Sequence, residues 1–243
     1  MNGHDPSRPS FCCKKGSPMK DYKVIEVKES ILADNDADAE ALRQELRAEG
    51  TFLLNLMSSP GAGKTSTLVR TIAMLKDEFR IGVMEADIDS DVDARTIADT
   101  GARAIQIHTG GMCHLDADMT RQGIREFGTK DLDLVFLENV GNLVCPAEFY
   151  TGDVKNAMIL SVPEGDDKPL KYPLMFQISD VVLINKCDVL PVFDDFSRER
   201  VTERIRLRNP DCDIIFVSAK TGEGFDEWAG WLRREISRFR DRS

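Results

Sequence analysis

A glycine-rich segment with the sequence S-S-P-G-A-G-K-T occupies residues 58–65, between an apolar stretch and a helical pattern. The apolar residues 51–57 predict a strand, and the apolar periodicity from Leu68 onward predicts a helix that begins near Lys64. The glycines allow successive backbone N–H groups to face an anion, and the helix N-terminus adds partial positive charge. We therefore expect a phosphate-binding loop, whose predicted nucleotide-binding residues are Gly61, Ala62, Gly63, Lys64, Thr65 and Ser66.

Two side chains of this loop have specific expected roles. Lys64 is expected to act in catalysis by reaching the β- and γ-phosphates, and the hydroxyl of Thr65 is expected to bind Mg²⁺. Ser58 stands where the common pattern G-x-x-x-x-G-K-S/T begins with glycine. Because that first position tolerates more variation than the G-K-T end of the pattern, we still expect a nucleotide site.

The tetrapeptide N-K-C-D at residues 185–188 follows an apolar run that predicts a buried parallel strand. The carboxylate of Asp188 can accept hydrogen bonds from both the ring N–H and the amino group of guanine, a donor pair that adenine lacks. Asn185 and Lys186 are expected to contact the base and the phosphate loop. A second base contact is expected from the segment after a strand predicted at 213–217, namely Ser218, Ala219 and Lys220. The predicted nucleotide is therefore GTP or GDP.

Acidic residues near the ends of two further strands are expected to complete the phosphate chemistry. Residues 85–93 contain five carboxylates, of which Asp87 lies nearest the end of a strand predicted at 80–87. Because Mg²⁺ prefers oxygen ligands, Asp87 is expected to bind it. Glu138 follows a strand predicted at 132–137, and we expect it to act on Mg²⁺ through water.

The segment E-N-V-G-N at residues 138–142 occupies the place where GTPases have the motif D-x-x-G. The backbone N–H of Gly141 is expected to sense the γ-phosphate, so that loss of this phosphate releases the loop as a switch. No glutamine follows Gly141 to orient the attacking water. We therefore expect slow intrinsic hydrolysis, assisted by Asp93, by Asp89 or by a second subunit.

Sulfur and imidazole side chains lie close to this switch in the sequence. Cys113 and His114 are adjacent, and Cys145 follows Gly141 by four residues. Thiolate and imidazole ligands suit Zn²⁺, Ni²⁺ or copper, and a two-fold dimer that shared both thiols would supply a tetrahedral set. In the alternative interpretation these residues bind no metal: Cys113 is a cysteine at the start of a helix, Cys145 is a buried thiol and His114 caps the helix. The spacing alone does not decide between these interpretations.

Composition and charge limit the possible classes of function. The chain has 243 residues, is 42% apolar and carries a net charge of −10. It has no apolar run long enough to cross a membrane and no leader at its N-terminus, so we expect a cytoplasmic protein without a membrane partner. The negative charge disfavours nucleic acid as a partner. The six cysteines are expected to be thiols or metal ligands, with Cys187 and Cys212 as core thiols.

The order of the predicted elements indicates one domain. Residues 1–20, which include Cys12 and Cys13, have the composition of a flexible tail, and residues 21–243 are expected to form a P-loop GTPase domain. A helix predicted at 36–50 leads into the first strand, after which strands and helices alternate. This alternation predicts an α/β fold with a mostly parallel twisted sheet and helices on both faces.

Taken in order, these segments resemble the HypB-type hydrogenase nickel-incorporation GTPases. The resemblance covers residues 30–240 and rests on S-S-P-G-A-G-K-T, the run around Cys113 and His114, E-N-V-G-N-L-V-C-P, E-G-D-D at 164–167 and N-K-C-D. It implies a GTPase that delivers nickel to NiFe-hydrogenase precursors with other maturation proteins, and that forms a nucleotide-linked homodimer. It also implies that Cys113, His114 and Cys145 hold Ni²⁺ or Zn²⁺.

Three points qualify this resemblance. The N-terminal tail lacks the cysteine motif or histidine-rich stretch of some family members, so a separate storage site is not expected. A P-loop ATPase or kinase is a rival interpretation that N-K-C-D disfavours. A non-catalytic scaffold, in which GTP only gates metal binding, is the second rival.

Overall fold

The computed structural model describes residues 27–87 and 92–241, without the side chains of residues 27–33, 87 and 92–94. Seven strands lie in these residues: β1 Phe52–Ser58, β2 Ile81–Asp87, β3 Arg103–His108, β4 Leu134–Glu138, β5 Lys155–Ser161, β6 Val181–Asn185 and β7 Asp213–Phe216. They form one sheet in the order β3-β2-β4-β1-β5-β6-β7, and every neighbouring pair is parallel. Strands β1, β4 and β6 are buried along their whole length, which explains their nearly continuous apolar runs.

Helices cover both faces of the sheet. The helices of the described residues are α1 Val27–Glu49, α2 Lys64–Leu75, α3 Val92–Ala98, α4 Ala117–Phe127, α5 Lys168–Lys171, α6 Pro173–Gln177, α7 Arg198–Arg206 and α8 Phe225–Asp241. Helices α2, α3 and α8 pack on one face, and α1, α4, α6 and α7 pack on the other. This arrangement confirms the α/β fold predicted from the sequence. None of the described helices is long and apolar enough to span a membrane.

Helix α1 begins at Val27, earlier than the start predicted at residue 36. The prediction took Asp36 as the beginning of the helix, but this residue lies within it. Asp34, Asp36 and Asp38 are exposed, whereas Asn35 turns toward the protein and is buried. Asp36, an exposed acidic residue in the middle of the helix, was therefore mistaken for the start of the helix. Residues 1–20 lie outside the described residues, so the boundary between tail and domain stays a prediction.

Strand β5 was not predicted, although it lies at the centre of the sheet between β1 and β6. Its apolar run is short, and it begins with Lys155 and Asn156, which are unusual at the start of an inner strand. Both residues are satisfied by the carboxylate of Asp180, which accepts from Lys155 Nζ at 2.6 Å and from the Asn156 N–H at 2.8 Å. Contacts with a distant residue thus stabilise a strand whose local pattern is weak.

The other predicted elements are present with small shifts at their ends. The strands predicted at 51–57 and 132–137 begin and end slightly later, as β1 and β4. Helix α4 begins at Ala117 because the side chain of Asp116 caps it, accepting from the Met119 N–H at 2.8 Å. Cys187 and Cys212 are buried, as predicted for core thiols.

Candidate nucleotide and metal sites

The predicted phosphate loop connects β1 to α2 at the carboxyl edge of the sheet. Gly61 and Gly63 have φ angles of 75° and 102°, which favour glycine. A Cβ atom on Gly63 would overlap the side-chain amide of Asn185. The loop therefore requires glycine at this position both for its backbone angle and for its contact with the predicted base motif.

The predicted base motif holds the phosphate loop directly. Asn185 Nδ2 donates to the carbonyl of Ala62 at 2.9 Å, and Lys186 Nζ donates to the carbonyl of Gly61 at 2.7 Å. Lys64 Nζ lies 3.3 Å from the Ser58 hydroxyl, so the serine that departs from the common motif contacts the motif's lysine. The two motifs thus form one structural unit, although they are far apart in the sequence.

The predicted base contacts also lie together. The Ser218 hydroxyl donates to Asp188 Oδ1 at 2.7 Å, and the Ala219 N–H donates to Asn185 Oδ1 at 3.1 Å. A cavity of about 320 Å³ lies beside them, and its lining includes Gly63, Ser66, Asn185, Lys186, Asp188 and Lys220. Because Ser218 occupies one oxygen of Asp188, the other oxygen and its lone pairs remain for a ligand in this cavity.

Two residues that sequence reasoning missed support this nucleotide site. Arg70 on α2 donates to the carbonyls of Ala219 at 2.8 Å and Lys220 at 3.2 Å, which fixes the second base segment. Glu164 accepts from the Ser59 hydroxyl of the phosphate loop and from the Ser161 N–H at the end of β5. Arg70 and Ser59 are far in sequence from the residues that they contact here, so no local pattern indicates these two contacts. The bond between Glu164 and Ser161 is local, because the two residues form a capping box with S-x-x-E spacing.

Thr65 and Glu138, two of the three residues predicted to hold Mg²⁺, are in contact. The Thr65 hydroxyl donates to Glu138 Oε1 at 3.2 Å, and Glu138 is buried. Glu85 of β2 lies beside Glu138 of β4 in the sheet, so Asp87 ends β2 at the same edge. A hydroxyl and a carboxylate at one point are ligands that fit Mg²⁺. The roles of Asp87 and Asp93 stay predictions because their side chains are not described, and Asp89 lies outside the described residues.

The predicted switch glycine lies directly on the phosphate loop. A Cβ atom on Gly141 would lie 3.1 to 3.3 Å from the side chain and backbone of Pro60. A larger residue at position 141 would therefore push this segment away from the loop. The next residue, Asn142, donates from Nδ2 to the carbonyl of Cys113 at 3.4 Å and accepts from the Val144 N–H at 2.8 Å. The switch segment thus reaches the predicted metal ligands.

The structure brings Cys113, His114 and Cys145 together. Their ligand atoms all lie within 4.8 Å of one another, and the two sulfur atoms are 2.8 Å apart. Cys113 and His114 precede α4, and Cys145 begins the 3₁₀ turn Cys145–Ala147 after β4. The loop with Cys113 follows β3 and the loop with Cys145 follows β4, and β2 lies between these two strands. The two loops therefore come together only beyond the edge of the sheet.

The chemistry of this cluster fits a thiophilic metal ion. Nδ1 of His114 is buried and has no hydrogen-bond partner among the described residues. The His114 ring stacks on Phe149 with a centroid distance of 3.9 Å, and burial lowers the His114 pKa, although Asp116 and Glu148 oppose this effect. The imidazole is therefore held neutral, as ligation requires. The contact with Cys113, together with burial, raises the pKa of the Cys145 thiol.

A chain of three side-chain amides, of which Asn55 and Asn139 are buried, anchors the switch segment from the α1 side of the sheet. Asn139 Nδ2 donates to Asn55 Oδ1 at 3.1 Å, Asn55 Nδ2 donates to Asn156 Oδ1 at 2.9 Å, and Asn156 Nδ2 donates to Asp153 Oδ2 at 2.8 Å. The Val140 N–H donates to Asn139 Oδ1 at the other end. At one end of the chain the carboxylate of Asp153 accepts a hydrogen bond, and at the other end the Val140 N–H donates one. Each amide between them must therefore accept through its oxygen on the Val140 side and donate through its nitrogen on the Asp153 side.

Asp153, at the end of this chain, is expected to make stability depend on pH. Burial raises its pKa to about 6, although hydrogen bonding to Thr151 opposes this. The folded protein therefore binds this proton more tightly than the unfolded chain, and the free energy of unfolding falls as pH rises from about 4 to about 6. Asp153→Asn should remove that fall, which is on the order of 3 kcal/mol.

Urea denaturation of both proteins across this pH range measures the effect. The exposed residue Asp211 supplies the matched control for the loss of one carboxylate, because Asp211→Asn retains Asp153 and should therefore retain the fall. Equal pH dependence of the parent protein and Asp153→Asn would show that the Asp153 pKa is not raised.

Comparison with known proteins agrees with this geometry. Residues 52–216 match the family described as CobW/HypB/UreG, nucleotide-binding domain. The chain is 46% identical to the hydrogenase maturation factor HypB of Rhizobium leguminosarum bv. viciae over 220 residues, which is 90% of this chain and 73% of that protein. It is 43% identical to HypB of Escherichia coli (strain K12) over 217 residues, covering 89% of this chain and 74% of that protein.

A solved structure gives the same result. The crystal structure of HypB from Helicobacter pylori in complex with nickel superposes with a TM-score of 0.79 at 38% identity, covering 84% of this chain and 96% of that one. The phosphate loop, the base motif and the Cys-His-Cys cluster lie on the fold that these relatives share. The chain therefore belongs to the HypB family of hydrogenase maturation factors, within the CobW/HypB/UreG group of nucleotide-binding domains.

Proposed function

We propose that this protein is a GTP-hydrolysing metallochaperone that binds nickel and assists its insertion into NiFe-hydrogenase precursors. The observation that carries the proposal is the position of Asn142, which lies next to the switch glycine and contacts the loop of Cys113. The names of the relatives support hydrogenase maturation, and the nickel complex of the Helicobacter pylori protein supports the metal. Zn²⁺ suits the same ligands, so both ions are candidate cargo.

The residues of this chain have distinct roles in the proposed reaction. Asp188 selects guanine, and Lys64 with the backbone of the phosphate loop neutralises the phosphates. Bound Mg²⁺ supplies further neutralisation of the β- and γ-phosphates, and Thr65, Glu138 and Asp87 are the residues that would hold it. Gly141 senses the γ-phosphate in this proposal, which its close approach to Pro60 of the phosphate loop supports. Because no glutamine follows Gly141, we expect slow turnover of GTP.

Within the part of one chain that the structure describes, the metal cluster is short of a fourth ligand. Cys113, His114 and Cys145 provide three ligands, whereas zinc and related ions in structural sites favour four. A two-fold homodimer would bring a second set of ligands to the same place. We therefore propose a nucleotide-linked homodimer that acts with a hydrogenase precursor and other maturation proteins in the cytoplasm.

Titration of the protein with Ni²⁺ or Zn²⁺ in two nucleotide states tests this function. Metal affinity should differ between the GDP form and the form with a non-hydrolysable GTP analogue, by about 5- to 150-fold. By linkage, the metal should change nucleotide affinity by the same factor, and mass measurement in solution reports dimer formation. Equal metal affinity in both nucleotide states would show that the two sites are independent. That result would overturn the proposed mechanism.

A further inference from the structure

Helix α1 lies against both loops that carry the predicted metal ligands, and one of its side chains bonds to each of them. Asn35 is buried, with 8% of its surface exposed. Its Oδ1 accepts from the Ala117 N–H at 2.9 Å, and its Nδ2 donates to the carbonyl of Tyr150 at 3.0 Å. Ala117 follows His114 by three residues, and Tyr150 follows Cys145 by five.

One amide group therefore joins the two segments from the α1 side, in addition to the Asn142–Cys113 hydrogen bond and the stack of His114 on Phe149. The acceptor and donor of an asparagine side chain are held in one plane at a constant separation. A hydrogen bond from each end fixes the backbone of the Cys113 loop relative to the backbone that follows Cys145. The two thiols come from these two segments, so their separation depends on this spacing.

Other contacts hold α1 in place independently of Asn35. Arg43 Nε donates to the carbonyl of Asp153 at 2.8 Å, and Arg121 of α4 contacts Glu45 Oε1 at 2.5 Å. A Cβ atom on Gly152 would meet the side chain of Leu42 at 2.7 Å, so the helix packs directly on this loop. These anchors should preserve the position of the helix when the Asn35 amide is removed.

We propose that Asn35 is a positioning residue of the metal site, which fixes the spacing of the Cys113 and Cys145 loops without itself contacting the ion. The inference rests on the metal site of the proposed function. Residues that orient metal ligands from outside the ligand set affect metal affinity by about 10- to 100-fold. Without the Asn35 bridge, only the Asn142–Cys113 hydrogen bond and the His114–Phe149 stack fix the spacing of the two loops, and part of the binding free energy is lost to ordering them.

Two substitutions separate the two hydrogen bonds of Asn35. Asn35→Asp keeps an acceptor for the Ala117 N–H but removes the donor to Tyr150, so it breaks the bridge while leaving one loop attached. Asn35→Ala removes both bonds. We expect Asn35→Asp to weaken Ni²⁺ binding about 10-fold and Asn35→Ala to weaken it by up to about 100-fold. GTP affinity should be unchanged in both.

Titration of the full chain with Ni²⁺, and with Co²⁺ as a spectroscopic probe, measures these effects. The d–d bands of Co²⁺ and the thiolate-to-metal charge-transfer bands report ligand geometry, which a general loss of stability does not alter. Asn209 supplies a matched control, because its Nδ2 donates to the carbonyls of Gln177 at 3.1 Å and Ser179 at 2.8 Å, away from the metal loops. Asn209→Ala should leave metal affinity and spectra unchanged.

The possible outcomes distinguish this inference from the proposed function. Asn35→Asp with the metal affinity and Co²⁺ spectrum of the parent protein would overturn the bridging role. A parallel loss of metal and GTP affinity in Asn35→Asp would also overturn it, because it would indicate a general structural effect. If Asn35→Ala fails to fold, the metal affinity and Co²⁺ spectrum of Asn35→Asp still test the bridging role. A parent protein that binds no Ni²⁺ would instead overturn the proposed function.

Discussion

Asp188→Asn is expected to shift the nucleotide preference from guanine toward xanthine, with a loss of GTP affinity on the order of 100-fold. The contact with Ser218 explains the direction of this change. The Ser218 hydroxyl donates to Asp188 Oδ1 at 2.7 Å, and the asparagine carbonyl can accept the same hydrogen bond. The new amide N–H₂ then replaces the free carboxylate oxygen and faces the base.

That amide would oppose the amino group of guanine but would donate to the carbonyl that xanthine has in its place. Competition between GTP, XTP and ATP for the parent protein and the variant measures the preference. Asp194 lies in the same region and is exposed, so Asp194→Asn is the matched control and should keep the preference for GTP. An unchanged preference in Asp188→Asn would remove Asp188 from the base site. A preference of the parent protein for ATP would favour the P-loop ATPase or kinase.

Cys145→Ala is expected to weaken Ni²⁺ or Zn²⁺ binding by at least about 100-fold. Substitution of residues that only orient metal ligands already lowers metal affinity by about 10- to 100-fold, and Cys145 is a predicted ligand itself. The variant removes one of the two sulfur atoms that lie 2.8 Å apart, and His114 and Cys113 cannot complete a site alone. GTP affinity should persist, since Cys145 lies outside the phosphate loop and the base motif, and its side-chain partners are Cys113 and Asn142. The effect of metal on nucleotide affinity should disappear with the metal site.

Calorimetry of metal and nucleotide binding checks both parts of this prediction. Cys212 is a suitable control, because it is also a cysteine but is buried beside β7, and burial raises its pKa to about 12. Cys212→Ala should retain metal affinity even if its stability falls. Metal binding by Cys145→Ala equal to that of the parent protein would exclude the Cys-His-Cys cluster as the metal site.

The order and spacing of residues along the chain were enough to predict the fold class and both nucleotide motifs. Phosphate is bound by consecutive backbone groups, so residues 58–65 carry their chemistry in one short segment. The alternation of strands and helices required a parallel sheet, which places all strand ends at one edge. The spacing of residues within each short segment was therefore sufficient to predict that the phosphate loop and the N-K-C-D motif lie at that edge of the sheet.

The surroundings of these motifs depend on contacts that form when the chain folds. Spacing left the cysteines open to a structural interpretation, and the order of β3, β2 and β4 with the loops beyond them brings Cys113 to Cys145. Strand β5, the amide chain through Asn55 and the bridge by Asn35 were missed. Asn35 bonds to residues 82 and 115 positions away, and Asn55 bonds to residues 84 and 101 positions away. A hydrogen bond between distant segments leaves no periodicity in the sequence, so it becomes visible only when the chain has folded.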